Sequence, residues 1–197
     1  MIRPSLTLLA AGALALAASC GIPADDGPRA ISQEPEDLRD GTTTTSVGQT
    51  VAAILYFSTS DGSRDVLVRV EQPVPAAGGS SAPTPGIVLE ALLAGAPSED
   101  YSTKIPPGTA LAAPPQLDRS GLLTVDLNTA ITNVTNPGAA VAYGQMVCTA
   151  DALEEVVSVR FTVEGTPVPP PTGDGDQSSR PVACGDYGNL LAEPPEG

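Results

Sequence analysis

The side chains of this sequence that could do chemistry are few. Three cysteines stand at Cys20, Cys148 and Cys184, a single lysine at Lys104, and histidine is absent. Without histidine there is no Ser-His-Asp or Cys-His nucleophile, no HExxH zinc site and no proton shuttle titrating near neutrality. A serine–lysine pair of the SxxK kind also fails, because Tyr101 stands three residues before Lys104. Neither a GxSxG elbow nor a phosphate-binding P-loop can be read.

Carboxylates are abundant, with 23 aspartates and glutamates. A glycosidase-like pair needs two of them facing across one cleft, about 5–9.5 Å apart. Here they fall in the N-terminal polar stretch, in loops such as Glu99-Asp100, and in Glu154-Glu155 before the last strand. Asp126 lies within a predicted strand, its side chain opposite the core face. These positions read as solvated surface. Asp174-Gly175-Asp176 with Ser178 resembles the opening of a calcium loop, but Ser179 and Gly185 stand where such a loop needs Gly and Glu. That stretch reads as linker, and Asn133-Val134-Thr135 as a coincidental glycosylation pattern. No catalytic residue, metal ligand or cofactor is expected.

The cysteines carry the clearest chemistry. Leu6 to Ala18 is an apolar run broken only by Thr7 and Gly12, preceded by Arg3. It is shorter than the about 20 residues a spanning helix needs and matches the about 7–15 of a secretory signal core. Ala17-Ala18-Ser19 then leads into Cys20 and Gly21, a pattern that resembles the bacterial lipobox, in which the thiol takes a diacylglyceryl group before cleavage. Ala17 departs from it, since Leu is commonest there and Leu16 lies one step further out. The alternatives are a plain secreted protein with an incidental Cys20, or a permanent anchor. With Cys20 lipidated, each buried methylene contributes about 0.8 kcal/mol, so two or three acyl chains hold firmly. Cys148 and Cys184 remain as an even pair in an oxidising compartment and are expected to form a disulfide, closing a loop that stabilises by roughly 4 kcal/mol on the chain-entropy model.

The formal net charge of −14, more negative once Arg3 leaves with the leader, opposes binding to nucleic acid or anionic headgroups. Aromatics at 3% leave little surface for sugar stacking. Plentiful Ala and Pro beside one lysine look like the product of a GC-rich genome.

The elements follow from periodicity and punctuation. Gly21 to Gly48 is a polar tether holding Thr42-Thr43-Thr44-Thr45, roughly 30 Å in mean reach. Val51 to Phe57 and Val66 to Val70 read as strands either side of a turn from Ser58 to Arg64. Thr84-Pro85 opens a helix with Val88, Leu89, Leu92 and Leu93 on one stripe, stopped by Gly95 and Pro97. Leu111 to Leu117 and Leu122 to Leu127 flank Asp118-Arg119-Ser120-Gly121, a hairpin signal. A second helix starts near Ala139 and reaches Cys148 or beyond, Val156 to Val163 is the clearest strand, and Thr166 to Arg180 reads as a loop or disordered excursion. This order predicts an α+β fold, a small mixed or antiparallel sheet with two helices packed on one face. The divisions are a signal peptide over 1–19, lipidated Cys20 and tether over 20–49, a domain over 50–165, and a Pro/Gly-rich tail over 166–197 pinned by the disulfide.

The folded segment resembles the GerMN domain of spore-germination and sporulation proteins and of many actinobacterial lipoproteins. The likeness rests on Tyr56-Phe57 in the opening strand, Leu89-Glu90-Ala91-Leu92-Leu93-Ala94-Gly95-Ala96-Pro97, Ile105-Pro106-Pro107-Gly108-Thr109, Leu123-Thr124-Val125-Asp126-Leu127-Asn128 and the strand ending at Gly165. It implies a fold similar to ring-building motifs, used for protein contacts in the envelope, and no catalysis. The expected protein is thus a lipid-anchored extracytoplasmic interaction or scaffolding module, touching membrane only through its anchor, with an envelope protein or itself as partner. The alternative is a lipoprotein that binds a small molecule or cell-wall fragment.

Overall fold

The computed structural model describes residues 49–62, 64–78 and 82–192; the leader, Cys20 and nearly all of the expected tether lie outside the described residues. The elements are β1 (Thr50–Asp61), β2 (Arg64–Pro75), α1 (Pro85–Leu93), β3 (Gln116–Leu117), β4 (Leu122–Leu127), α2 (Gly138–Asp151), β5 (Ser158–Val163) and β6 (Thr166–Val168), with 3-10 turns at Thr129–Asn133 and Cys184–Leu190. The fold is α+β. A small mixed sheet runs β3-β4-β5-β6, with β4 and β5 parallel and the outer pairs antiparallel, and β1 and β2 form a separate antiparallel hairpin.

The hairpin is longer than its apolar stretches suggest. Ser58 to Arg64 is not all turn: the ladder continues through Ser58–Leu67 and Thr59–Val66 to Asp61–Arg64, and Gly62 takes the positive φ that closes it. Serine and threonine persist as strand because Ser58 is paired on both sides, with Leu67 in the hairpin and Ser102 beyond it. The expected strand from Leu111 shrinks for the opposite reason. Pro114 and Pro115 supply no N–H, so only Gln116 and Leu117 join the ladder, while Leu111 makes a lone bridge to Leu127.

Helix α1 begins as its sequence dictates, with the Thr84 hydroxyl accepting from the Ile87 N–H at 3.5 Å and Pro85 in the first turn. It buries Val88, Leu89 and Leu92 and packs on α2 and the hairpin. Helix α2 is different: every residue from Ala139 to Ala150 is buried. A helix covered on all sides is a core element rather than a surface one. It is the crossover between parallel β4 and β5, and it also packs on β1, β2, α1 and the C-terminal 3-10 turn. Tyr143 meets Phe161 of β5 edge to face, ring centres 4.9 Å apart.

The segment after Gly165 is ordered where a loop or disordered excursion was expected. Glu164 and Gly165, both at positive φ, make a two-residue turn into β6, whose Thr166 pairs with Val163. Pro167 is tolerated because β6 is an edge strand. Beyond it Thr172 N–H bonds to Asp176 C=O at 2.8 Å, Val182 pairs with Val159, and Ala192 N–H reaches Leu67 C=O at 2.9 Å. This segment therefore ties the mixed sheet to the hairpin. Arg180 clasps Asp186, and a disulfide joins Cys184 to Cys148 on α2.

Gly144 is where that segment presses on α2. A Cβ there would lie 2.9 Å from the Tyr187 ring and 3.0 Å from a Leu67 methyl, both on fully buried side chains. Gly144→Ala is expected to destabilise by about 1–3 kcal/mol through overpacking, despite its better helix propensity. Urea denaturation against wild type checks it; an unchanged or raised midpoint would show that the contact yields.

Candidate interaction site

Two polar side chains interrupt the apolar surface of α2, Gln145 and Thr149, one turn apart on the same face and both fully buried. Both serve one residue of β1. The Tyr56 N–H donates to Thr149 Oγ1 at 2.8 Å, and Gln145 Nε2 donates to the Tyr56 carbonyl at 3.2 Å. Gln145 Oε1 accepts in turn from the Lys104 N–H at 2.9 Å and the Thr103 hydroxyl at 3.3 Å. Two residues on, Ser58 exchanges both backbone bonds with Ser102, each 2.8 Å. The outer edge of β1 is thus satisfied at Tyr56 and Ser58, as buried backbone must be.

The same alternation defines what is left open. The β1–β2 register is unbroken over its whole length, so the groups of every second residue point away from β2. Tyr56 and Ser58 are in that set, and so are Ile54 and Ala52. Gln49 is in the other set, and its carbonyl accepts from the Ala76 N–H on the β2 side. Among the described residues, the outward N–H and C=O groups of Ala52 and Ile54 have no hydrogen-bond partner.

Beside this open stretch is an apolar groove of about 250 Å³. Its walls come from Ile54, Pro85 at the start of α1, Leu117 of β3, and Leu153 and Val156 just past α2. Glu154 and Glu155 sit at its rim, exposed, and no Lys or Arg lines it. Val157, next along the chain, is 63% exposed, the only large hydrophobic side chain among the described residues left so. A second opening of about 630 Å³ is lined by Arg64, Asp65, Asp174 and Asp176 together with the apolar Pro137, Ala140, Val141 and Leu190. Two of its carboxylates are engaged locally: Asp65 pairs with Lys104 at 2.9 Å, and Asp174 accepts from the Asn189 amide at 3.0 Å.

The residues singled out by sequence scatter. Asp126 ties β4 to the β5–β6 turn, accepting from the Thr162 hydroxyl at 2.6 Å and the Gly165 N–H at 2.9 Å, and these two donors hold its carboxyl below the usual range. Asp118 is lowered likewise by the Ser120 hydroxyl, then by the Leu122 and Ser120 N–H groups of the hairpin turn. Burial pushes Asp186 up, but its bonds from Arg180 and the Ala183 N–H bring it below the ordinary value. Burial raises Asp151, beside the disulfide. Among the described residues no group of three or more Cys, Asp or Glu could hold a metal ion. Asn128 closes the Ile105–Thr109 loop onto β4, accepting from the Ala110 N–H and donating to the Gly108 carbonyl.

The overall α+β fold is that of a known domain. The family model described as Germane, sporulation and spore germination, matches residues 54–169. The chain belongs to the Germane family. Among solved structures it is similar to the first GerMN domain of the sporulation protein GerM from Bacillus subtilis, with TM-score 0.53 and 17% identity over 68% of this chain and 98% of that one. The tandem GerMN domains of the same protein give TM-score 0.51 and 18% identity over 61% of this chain, which spans 41% of the tandem structure. At these identities the likeness establishes the fold. No curated protein sequence matches the chain.

Removing either polar contact from α2 strands buried backbone of β1. Thr149→Val and Gln145→Leu are each expected to cost about 1–3 kcal/mol, with the larger loss at Gln145, which leaves Tyr56 and Lys104 both unpaired. Denaturant midpoints at constant slope check this; equal stability would mean the edge finds other partners. The carboxylates give a pH signature. A carboxyl lowered in the folded state adds stability above its ordinary value of 3.8, lost as pH falls through the folded value. Asp118, Asp126 and Asp186 act in this direction and Asp151 in the other. Stability is expected to fall as pH drops through and below the ordinary carboxylate value, and Asp126→Asn to flatten that limb; a parallel curve for the variant would remove Asp126 from the account.

Proposed function

We propose that this protein is an exported lipoprotein of the actinobacterial type, held on the outer face of the cytoplasmic membrane through Cys20, whose Germane domain docks on another protein of the cell envelope. In this reading residues 1–19 are the signal peptide, 20–49 the lipidated cysteine and tether, 50–165 the domain and 166–197 the tail returned by Cys184. The observation that carries docking is the open edge at Ala52 and Ile54 beside an apolar, acid-rimmed groove. Support for the address is the apolar leader ending at Cys20, together with a disulfide suited to an oxidising compartment. Among the described residues no helix is long and apolar enough to cross a membrane.

The module is not an enzyme in this reading: its partner is protein, not nucleic acid, and it meets lipid only at its anchor. Binding of a small molecule or cell-wall fragment is less well supported. Drug-sized ligands occupy pockets of about 300–1,000 Å³ with apolar walls. The apolar groove is smaller, and the larger opening carries four charged side chains, Arg64, Asp65, Asp174 and Asp176, among its apolar lining.

Cys20→Ala is expected to shift the protein from the membrane fraction to the medium, or to leave an uncleaved precursor. Fractionation with immunoblotting reads this, and processed, membrane-bound protein from the variant would refute lipidation. In-cell crosslinking of the anchored wild type is expected to capture an envelope protein; a strictly monomeric, uncrosslinked protein at native abundance would sink the docking role.

A further inference from the structure

Sheet edges exposed to solvent invite pairing, and proteins commonly blunt them with proline, lysine, bulges or a covering segment. The hairpin treats its two edges differently. On β2 the outward positions include Leu67, whose carbonyl is taken by Ala192, Arg69 and Glu71, whose charged side chains discourage pairing, and Pro73 and Pro75, which have no N–H to offer. On β1 the outward positions Tyr56 and Ser58 are covered, while Ala52 and Ile54 carry no blocking feature: they are small or apolar, uncharged and in unbroken register. One protected edge and one prepared edge make a receptor for a strand.

We propose that an extended, basic segment of the protein partner adds to β1 as a third strand along Ala52 and Ile54, an inference that rests on the docking reading above. The alternation at this edge supplies the N–H and C=O groups of both residues to an incoming backbone, the mode of β-strand addition. Alternate side chains of that strand face the groove formed by Leu117, Leu153 and Val156, whose about 250 Å³ suits a side chain rather than a free molecule. Glu154 and Glu155 at the rim, with no cation among the lining residues, select lysine or arginine on the intervening positions. The same carboxylates disfavour a second copy of this chain. Edge-to-edge pairing of two copies would gather four rim glutamates between molecules that each carry a formal charge of −14.

The test uses the full-length chain and two capped probe peptides, one of alternating lysine and valine and one of alternating glutamate and valine. The basic peptide is expected to bind, more weakly as salt rises, and to protect the Ala52 and Ile54 amides from hydrogen exchange; the acidic one is expected not to bind. Ala52→Pro removes an outward N–H and no hairpin bond, so it should fold as Pro73 and Pro75 do and bind at least about tenfold more weakly. Glu154→Gln with Glu155→Gln, both exposed, should fold and lose roughly tenfold with most of the salt dependence. Binding indifferent to these substitutions, or protection elsewhere, overturns the proposal. So does a concentration-dependent dimer abolished by Ala52→Pro, which makes the occupant a second copy. Protection at Ala52 and Ile54 without peptide, lost when residues 21–48 become a Gly/Ser linker, makes it the tether and also overturns the proposal. If in-cell crosslinking still captures an envelope partner with Ala52→Pro, the docking reading stands and this edge is wrong; if the wild type captures none, the reading itself fails.

Discussion

Helix α2 is the constraint to which the other elements answer. Burial on all its faces goes with a helix made mainly of Ala, Val, Met, Gly, Cys and Tyr, and requires each polar atom it carries to find a partner inside the protein. Gln145 and Thr149 meet that requirement by completing the backbone of β1 at Tyr56, so the helix that fills the core also finishes the edge of the hairpin. The hairpin, α1, β5 and the C-terminal turn are arranged around it, and the disulfide at Cys148 fastens its last turn to the returning chain.

That arrangement also explains why the candidate site is where it is. On β1, Gln145 and Thr149 reach only Tyr56 and Ser102 reaches only Ser58, so protection of the edge stops before Ile54. Past Asp151 the chain leaves the helix through Leu153 to Val156, and these residues become the wall of the groove instead of its filling. The open edge is a boundary set by the length of α2.

Much of the architecture could be read from residues alone. Thr84-Pro85 and Gly95 mark α1 because capping hydroxyl, N1 proline and positive-φ glycine each have a local cause. Asp118 to Gly121 mark their hairpin for the same reason. What stayed hidden depends on tertiary partners. Ser58 to Asp61 are strand only because Arg64 to Leu67 and Ser102 pair across them, and Thr166 to Val182 are ordered because β5 pairs with β6 and with Val182. Gln145 and Thr149 left a faint signal, two polar residues one turn apart in an otherwise apolar helix, which marks buried hydrogen bonding without saying to what. The open edge left none, since Ala52 and Ile54 look like any half-buried strand.

The bond from Tyr56 to Thr149 spans 93 positions of sequence. A chain made from its N-terminus therefore has both hairpin strands before the helix that seals them exists. Through that interval the whole outer margin of β1, not only Ala52 and Ile54, is available to other strands, and pairings this distant form slowly. Closure of that margin by the second helix is a long-range step, and the finished molecule keeps a short length of it unclosed.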